Sequence, residues 1–258
     1  LFISEVTVKM SVAQVILVTG GTSGIGFQIS KKFIKKGFCV IAASLDEKQK
    51  VEKAMDALRK AGGCAEYGYL DVSDRDSCKQ LIKYVINKYG RLDVLVNAAG
   101  VRGKAVPPSK TDFNDLEKTM RVNFFGTVMM STLAADYMKK QRSGAIINIS
   151  SISGSMVTAS DYGYHCSKCS VDMATKILAK EVSPFGVRCI SVAPGGVKTG
   201  MNSSEWEKEG RKLHVRKRLL TGEEVADAVY LMTTQEASAV NGSVLLADDG
   251  YTAFKGVF

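Results

Sequence analysis

The sequence contains no apolar run of the ~20 residues that a membrane-spanning helix requires, so we expect no membrane partner. Its start also lacks the basic residues and apolar centre of a secretory signal, which indicates a cytoplasmic protein. The chain has only two histidines, His165 and His214, and no cluster of metal-ligating residues accompanies them. We therefore expect no metal site.

Acidic residues are outnumbered by basic ones, 26 against 35, and the formal net charge is +9. Such an excess is typical of proteins that bind nucleic acids. Much of it, however, lies in lysine pairs spread over predicted helices, without interleaved aromatic residues or a nucleic-acid-binding motif. We expect a solvated basic surface and no nucleic-acid partner.

The six cysteines are scattered through predicted strands and helices, where packing usually explains them. The spacing Cys166-x-x-Cys169 also occurs in redox and zinc pairs, but no second pair of ligands accompanies it. We expect packed, reduced thiols, as in a cytosolic protein.

Three glycines follow the first predicted strand, Val15–Thr19, and precede an amphipathic run that predicts a helix. Gly20 can adopt dihedral angles closed to other residues, Gly24 lets the backbone approach a pyrophosphate, and Gly26 lets the helix lie close to the strand. The N–H groups of the first helical turn then face the anion. This pattern predicts a phosphate-binding turn, and the alternative is a glycine-rich turn before an ordinary helix.

Strands alternate with helices along the chain, and no proline- or serine-rich linker divides them. Strands are predicted over 15–19, 38–43, 65–70, 93–97, 145–149, 187–192 and 242–247. Helices are predicted over 24–36, 47–61, 74–89, 111–140, 162–182 and 221–233, with Ser73 as a cap, an interruption near 123–126 and an irregular segment over 194–218.

This alternation predicts a single α/β domain over residues 12–258, preceded by an extension over residues 1–11. The domain is expected to be a Rossmann-type, doubly wound parallel sheet with helices on both faces. Ligands of such sheets lie beyond the C-terminal ends of the strands, so the residues that end strands are the candidates for a site.

Tyr164 and Lys168 are four residues apart on one predicted helix, so their side chains share a face. An ammonium ~5 Å from a phenol is worth ~3 kcal/mol at an effective dielectric of about 20, which lowers the phenol pKa by about two units. Lys168 can thereby make Tyr164 a usable acid or base. Ser151 follows the fifth strand at the same rim. At Asn123, either the amide side chain or a local kink that exposes a backbone carbonyl could order a water near Lys168. By themselves, Tyr164 and Lys168 could also be an ordinary surface pair.

With these residues the chain resembles the classical short-chain dehydrogenase/reductase family. The matching motifs are the glycine turn, Asp71, Asn97-Ala-Ala-Gly100, Asn123, Ser151, Tyr164-x-x-x-Lys168, Pro194-Gly195 and Ala247-Asp-Asp-Gly-Tyr251. The resemblance implies hydride transfer between a nicotinamide dinucleotide and a small-molecule ketone or secondary alcohol. It implies that Tyr164 is the acid/base, that Lys168 lowers its pKa and holds the nicotinamide ribose, that Ser151 orients the substrate oxygen and that Asn123 supports a proton relay.

The resemblance also implies a set of cofactor contacts. They are Gly20, Thr22, Ser23, Gly24, Ile25, Gly26, Ser44, Leu45, Asp71, Val72, Asn97, Ala98, Ala99, Gly100, Tyr164, Lys168, Pro194, Gly195, Val197 and Thr199. In the family an acidic residue at the end of the second strand bonds the adenosine ribose, whereas a basic residue accepts a 2′-phosphate. Ser44 and Leu45 stand there in this chain. Without a carboxylate to repel a phosphate, we expect NADP in preference to NAD, a choice that the sequence leaves open.

Substrate choice is expected from Val101-Arg102-Gly103, from residues 153–162 and from the loop 200–218, which is either a mobile lid or a solvated loop. One alternative is a 3-oxoacyl-(acyl-carrier-protein) reductase, for which Arg142 supplies one basic position while Phe185 occupies a second. Another is a dinucleotide-sensing protein without catalysis. The resemblance also implies a homotetramer or dimer, formed through long helices with apolar residues near Met130 and through the C-terminal region.

Overall fold

The computed structural model describes residues 13–199, 207–208, 210–211 and 214–254, so the predicted extension lies outside the described residues. Within them, parallel strands form one seven-stranded sheet in the spatial order β3-β2-β1-β4-β5-β6-β7. Most of these strands are buried on both faces, which explains their continuous valine- and isoleucine-rich runs. The strands are β1 Val15–Thr19, β2 Cys39–Ser44, β3 Ala65–Tyr69, β4 Val94–Asn97, β5 Gly144–Ile149, β6 Val187–Pro194 and β7 Val244–Ala247.

Helices cover both faces of the sheet and confirm the doubly wound fold. They are α1 Gly24–Lys35, α2 Lys48–Lys60, α3 Arg75–Tyr89, α4 Phe113–Met120, α5 Thr127–Gln141, α6 Tyr162–Val182 and α7 Gly222–Thr233. One face buries apolar residues of α1, α2 and α7, among them Phe33, and the other buries those of α3, α5 and α6, among them Met130. In the part of the chain that the structure describes, no helix has the length and hydropathy needed to cross a bilayer.

The strand order reverses between β1 and β4, where the chain runs outwards to β2 on one side and to β5 on the other. The helices that follow these two strands pack on opposite faces of the sheet. A crevice therefore opens at the C-terminal ends of β1 and β4, whose last residues, Thr19 and Asn97, lie side by side. The segments that leave β1, β4, β5 and β6 meet at this edge.

Two local predictions are wrong. The cap of α3 is Asp74, whose carboxylate accepts from the backbone N–H groups of Asp76 and Ser77, because the Ser73 hydroxyl instead donates to Asp71. The segment predicted to be irregular over 194–218 is helical at residues 207–208 and 210–211. The predicted interruption of the long helix is present, since a π-helical segment over Arg121–Gly126 separates α4 from α5.

The expectation of packed, reduced cysteines holds for Cys78 and Cys189, which are free and buried. It is wrong for Cys39 and Cys64, which form a disulfide because β2 and the start of β3 bring their Cα atoms to 4.6 Å. Packing also fails to explain the pair on α6: Cys166 and Cys169 are exposed. Both belong to the face of α6 that points away from the sheet. No three metal-ligating side chains cluster among the described residues.

Candidate active site

The three glycines after β1 form a tight turn whose shape fits an approaching anion. Gly20 has a φ of +64°, and a Cβ there would lie 3.0 Å from the backbone of Ala99. A Cβ at Gly26 would overlap the carbonyl oxygen of Gly20, so α1 packs against the turn as closely as glycine permits. Gly24 has a φ of +52° and open space where a Cβ would be. The N-terminus of α1 is thus exposed, as pyrophosphate binding requires.

A cavity of about 620 Å³ extends from this turn across the C-terminal ends of the strands. One end is formed by the turn with Asp46 and Lys50, and the other contains Ser151, Tyr164 and Lys168. Most of the predicted cofactor contacts line it, namely Gly20, Ser23, Gly24, Ile25, Gly26, Ala98, Ala99, Gly100, Tyr164, Lys168, Pro194, Gly195, Val197 and Thr199. Its size and elongated lining suit a dinucleotide with a small substrate.

Six predicted cofactor contacts do not line this cavity, namely Thr22, Ser44, Leu45, Asp71, Val72 and Asn97. The Asn97 amide is buried and donates to Ser131 and Asn148 inside the domain. The Asp71 carboxylate accepts from Ser73, while Leu45 points into solvent with 55% of its surface exposed. Thr22 and Ser44 both bond to Asp46. The Thr22 hydroxyl donates to the Asp46 carboxylate at 2.5 Å, and the Ser44 hydroxyl accepts from the backbone N–H of Asp46.

The motifs did not point to Asp46, which lies two residues beyond the end of β2. Its carboxylate is 2.6 Å from the Lys50 ammonium, and both side chains line the end of the cavity beside Ser23 and Gly24. Burial opposes the ionisation of Asp46, but hydrogen bonds from Lys50 and Thr22 hold the pKa of its carboxyl below the usual value. The sequence signal was the i,i+4 pair of opposite charges at the start of α2. The sequence prediction of NADP assumed that no carboxylate lies near the end of β2. Asp46 places one there.

Tyr164 and Lys168 lie on one face of α6, as their spacing predicts. Asp161 caps this helix and accepts from the backbone N–H of Tyr164 at 3.0 Å. The Lys168 Nζ donates to the carbonyl oxygen of Ile149 at 2.8 Å and lies 5.6 Å from the Tyr164 ring centroid. Ser151 lines the cavity with Tyr164, and its hydroxyl acts to lower the pKa of the Tyr164 phenol.

The neighbouring serine has a different environment. The Ser150 hydroxyl donates to the backbone carbonyl of Lys168 at 3.2 Å and is buried under α6. The backbone remains extended at Ser151, just beyond β5, and successive side chains of an extended chain point to opposite sides. The register therefore places Ser151, and not Ser150, beside the phenol.

Asn123 lies in the π-helical segment, and its side chain makes three hydrogen bonds. Its Oδ1 accepts from the backbone N–H of Val101 at 2.8 Å, and its Nδ2 donates to the Val101 carbonyl and to Ser167. The amide therefore ties the segment after β4 to α6. Asn123 does not line the cavity. The ordering of a water near Lys168, by this amide or by a backbone carbonyl of the π-helical segment, stays a prediction.

Burial opposes the expected electrostatic effect of Lys168 on the pKa of Tyr164. Burial raises the pKa of the Tyr164 phenol, and the Ser151 hydroxyl and the positive charge of Arg102 oppose that rise. Burial also lowers the pKa of the Lys168 ammonium to about 8, against the attraction of Asp172. The sequence prediction considered only the attraction between the Lys168 ammonium and the Tyr164 phenolate. Burial disfavours both of these charged forms.

The predicted substrate loop over 200–218 is described in part. His214 is buried, and its Nε2 accepts from the backbone N–H of Gly196 at 3.0 Å. Burial lowers the pKa of His214, consistent with this acceptor role. Arg216 pairs with Asp249, and Arg218 with Glu224, so neither side chain serves simply as a cation for the substrate.

Comparison with known proteins agrees with this arrangement. The family model described as short chain dehydrogenase matches residues 14–210. The chain belongs to the short-chain dehydrogenase/reductase family. It is 33% identical over 240 residues to the 3-oxoacyl-(acyl-carrier-protein) reductase FabG of Thermotoga maritima, an alignment that covers 92% of this chain and 97% of that protein.

Other members of the family are similar to a comparable degree. The chain is 30% identical over 256 residues to 3beta-hydroxysteroid dehydrogenase 2 of Eggerthella lenta, covering 93% of this chain and 95% of that one. The solved structure of ElxO with NADP bound superposes with a TM-score of 0.86 at 30% identity, covering 93% and 99% of the two chains. Like its family, this short-chain dehydrogenase/reductase is an NAD(P)-dependent oxidoreductase acting on alcohol or keto groups.

Proposed function

We propose that Tyr164 is the acid/base in the interconversion of a ketone and a secondary alcohol. The convergence of Tyr164, Ser151 and Lys168 at one end of the cavity carries this proposal. A nicotinamide dinucleotide, when bound, supplies or accepts the hydride. During reduction the Tyr164 hydroxyl donates a proton to the substrate oxygen, and during oxidation the phenolate removes it.

The other residues of the site hold the reactants. Ser151 orients the substrate oxygen, since it lines the cavity together with Tyr164. Lys168 holds the nicotinamide ribose, because an ammonium has two N–H groups beyond the one that reaches Ile149. Asn123 acts as a positioning residue that fixes the segment after β4 against α6. The turn at Gly20–Gly26 holds the pyrophosphate, and Pro194–Thr199 lies by the nicotinamide.

We propose further that the preferred dinucleotide is NAD, contrary to the preference inferred from the sequence. That preference assumed no carboxylate at the end of β2, whereas Asp46 lines the cavity beside Ser23. Its carboxylate can accept from the adenosine ribose hydroxyls, and its negative charge opposes a 2′-phosphate. Lys50 neutralises part of this charge at 2.6 Å, so the discrimination is moderate. The NADP in the ElxO structure is a property of that protein.

The role of Tyr164 is tested by Tyr164→Phe, with Tyr162→Phe as a matched control. Tyr162 lies on the same helix but is 52% exposed and does not line the cavity. Tyr164→Phe is expected to lower turnover at least ~10²-fold while dinucleotide binding, measured by calorimetry, persists. Full turnover of Tyr164→Phe would refute the proposal. Dinucleotide binding by the parent without turnover on any carbonyl or alcohol would favour the sensing protein instead.

A 3-oxoacyl-(acyl-carrier-protein) reductase is the specific alternative. The exposed Arg142 supports it, but its guanidinium lies 5.7 Å from the Phe185 ring, and Phe185 supplies no second charge. Activity with a short 3-oxoacyl thioester, and none with sugars or polyols, would establish this alternative.

We also propose a homotetramer. On α6, Met173 and Ile177 are 55% and 67% exposed, and Phe125 in the adjoining π-helical segment is 54% exposed. Leu246 and Phe254 add exposed apolar surface in the C-terminal region. Met130, in contrast, is buried within the domain, so it is not available to an interface. Apolar side chains grouped on one helix favour pairing with a second copy of the chain.

A further inference from the structure

His214 is a buried histidine that lines the cavity, and none of the proposed roles uses it. Its Nε2 accepts from the backbone N–H of Gly196 at 3.0 Å. A Cβ on Gly195 would lie 2.9 Å from the Cε1 of His214, so the ring lies against the backbone as closely as glycine permits. The ring of Tyr251 also packs against it, with 5.5 Å between the ring centroids. The imidazole is therefore packed between the segment after β6 and the C-terminal region.

Residues 194–199 are the segment proposed to lie by the nicotinamide, and backbone hydrogen bonds join them to the chain that follows His214. The Leu220 N–H donates to the Gly196 carbonyl at 2.9 Å, and the Lys198 N–H donates to the Leu220 carbonyl at 2.9 Å. These backbone groups do not titrate, whereas an imidazole does. The bond from Gly196 to His214 therefore adds a link that a change of pH can break.

This hydrogen bond fixes the protonation state of His214. A ring nitrogen that accepts from an N–H group must keep its lone pair, so the imidazole is neutral and its proton is on Nδ1. Burial lowers the pKa of His214, against the negative charges of Asp249 and Asp248. Protonation of Nε2 removes the acceptor and turns an N–H group towards the Gly196 N–H. The bond is therefore present only in the neutral form.

We propose that neutral His214 is a positioning residue that fixes residues 194–199 for the nicotinamide, and that protonation of its ring releases this segment. The inference rests on the proposed place of residues 194–199 beside the nicotinamide. A chain in which His214 is charged must lose that proton before the segment is fixed again. Acid should therefore weaken dinucleotide binding through this one side chain.

Two carboxylates act on the protonated ring, and both belong to the C-terminal region. Asp248 is engaged, since its carboxylate accepts from two backbone N–H groups. Asp249 accepts from Arg216 through Oδ1, while its buried Oδ2 has no hydrogen-bond partner among the described residues. The charge of Asp249 also favours the imidazolium more than that of Asp248 does. Asp249 is therefore the partner expected for His214 once the bond to Gly196 is lost.

The other titratable groups at this position keep their charge state when His214 titrates. Burial raises the pKa of the Tyr251 phenol, so this ring stays neutral. Arg218, which acts against the imidazolium, is paired with Glu224 and stays positive. Neither group can mimic the titration of His214 in acid.

The direct test uses the fact that the chain contains two histidines, His165 and His214. Nuclear magnetic resonance of the full chain, labelled with nitrogen-15 in histidine and free of any histidine tag, resolves the two rings, and His165→Gln assigns them. Without dinucleotide at neutral pH, the His214 Nδ1 should carry a proton and its Nε2 none. The same spectra, followed into acid, give the pKa of His214. A proton on Nε2 at neutral pH would overturn the inference.

The second measurement is calorimetric titration with NAD, whose own charge is constant because it carries no phosphomonoester. About 1 pH unit below the pKa found by resonance, only about one chain in ten has neutral His214, so the apparent Kd should be about tenfold higher than in weak base. ADP-ribose, which lacks the nicotinamide, should bind equally at both pH values. An equal pH dependence for ADP-ribose would separate the effect from the nicotinamide and overturn the inference.

Two substitutions separate the acceptor from the shape of the ring. In His214→Gln an amide oxygen can accept from Gly196 at every pH, so NAD affinity should stay close to that of the parent in weak base and lose its pH dependence. His214→Phe keeps a ring against Tyr251 but no acceptor, and should bind NAD about tenfold more weakly at every pH. Equal weakening in both variants would overturn the inference.

The matched control is His165→Gln. The Nε2 of His165 also accepts from a backbone N–H, that of Thr158 at 3.0 Å, but His165 does not line the cavity. This variant should keep the pH dependence of the parent, and a parent without pH dependence would refute the inference. If His214→Gln does not fold, the parent still decides, because the resonance and calorimetric pKa values must agree. Neither measurement uses turnover, so a parent inactive on every alcohol and ketone would refute the proposed function alone.

Discussion

Replacement of Gly26 by alanine tests the geometry of the phosphate-binding turn most directly. A Cβ there would overlap the carbonyl oxygen of Gly20 and lie 2.8 Å from its carbonyl carbon. Both obstacles are backbone atoms, so no side chain can rotate away. The helix α1 must instead move by roughly 1 Å to restore ordinary contact distances. That movement disturbs Ile29 and Phe33, which anchor α1 to the sheet and are fully buried.

The two energetic consequences of this change oppose each other. Overpacking costs roughly 1–3 kcal/mol, whereas alanine gains at most ~1 kcal/mol over glycine in a helix. From the middle of the overpacking range, about 2 kcal/mol, the net loss is about 1–2 kcal/mol. It lowers the melting temperature by roughly 2–8 °C, since 1 kcal/mol corresponds to roughly 2–4 °C for a domain of this size. Because the N–H groups at the start of α1 move with the helix, kcat/KM at low dinucleotide concentration should fall about 10²-fold.

The assays are thermal denaturation by circular dichroism, calorimetric titration with NAD, and initial rates. Gly37→Ala is the matched control, because Gly37 has a φ of +84° and open space where a Cβ would be. It lies outside the cavity lining. The control should lose roughly 1 kcal/mol from backbone strain and bind dinucleotide as the parent does. If Gly26→Ala had the melting temperature and the NAD affinity of the parent, the argument that Gly26 is needed for the close packing of α1 on the turn would be refuted.

Three further predictions concern charge and assembly. Asp46→Asn should raise kcat/KM for NADP about tenfold relative to that for NAD, since it removes ~1–2 kcal/mol of repulsion between the carboxylate and the 2′-phosphate. The control Asp56→Asn, on the outside of α2, should leave the ratio of the two kcat/KM values unchanged. The pKa of Lys168 is about 8 in the folded chain, below its value in the unfolded chain. Above pH 8 the unfolded chain therefore holds a proton on Lys168 that the folded chain has lost. Urea denaturation should therefore show the parent gaining stability relative to Lys168→Met between about pH 8 and 10, and a flat difference would contradict the burial of that ammonium. Ile177→Glu should shift the mass in light scattering towards the monomer while Lys180→Glu does not, and a parent that is already monomeric would reject the tetramer.

Much of the fold was accessible from the sequence because it depends on local patterns. Short apolar runs, helical periodicity and intervening turns predict α/β alternation, and α6 begins and ends where the periodicity predicts, at Tyr162 and Val182. The cap of α3 was wrong because two adjacent polar residues can both serve, and the competing bond between Ser73 and Asp71 decides between them. The Cys39–Cys64 pair joins residues 25 apart, which only the pairing of β2 with β3 brings together.

The sequence by itself determined the glycine turn after β1, the shared face of Tyr164 and Lys168, and the order of elements, because each depends on spacing along the chain. Tertiary structure alone decided which side chains enter the cavity. It placed Asp46 beside the turn, drew the Asn97 amide into the interior, and set Arg102 against the Tyr164 ring. The reason is physical: burial and long-range contacts set the pKa of a side chain and the direction in which it points, and neither is encoded in the spacing of a motif.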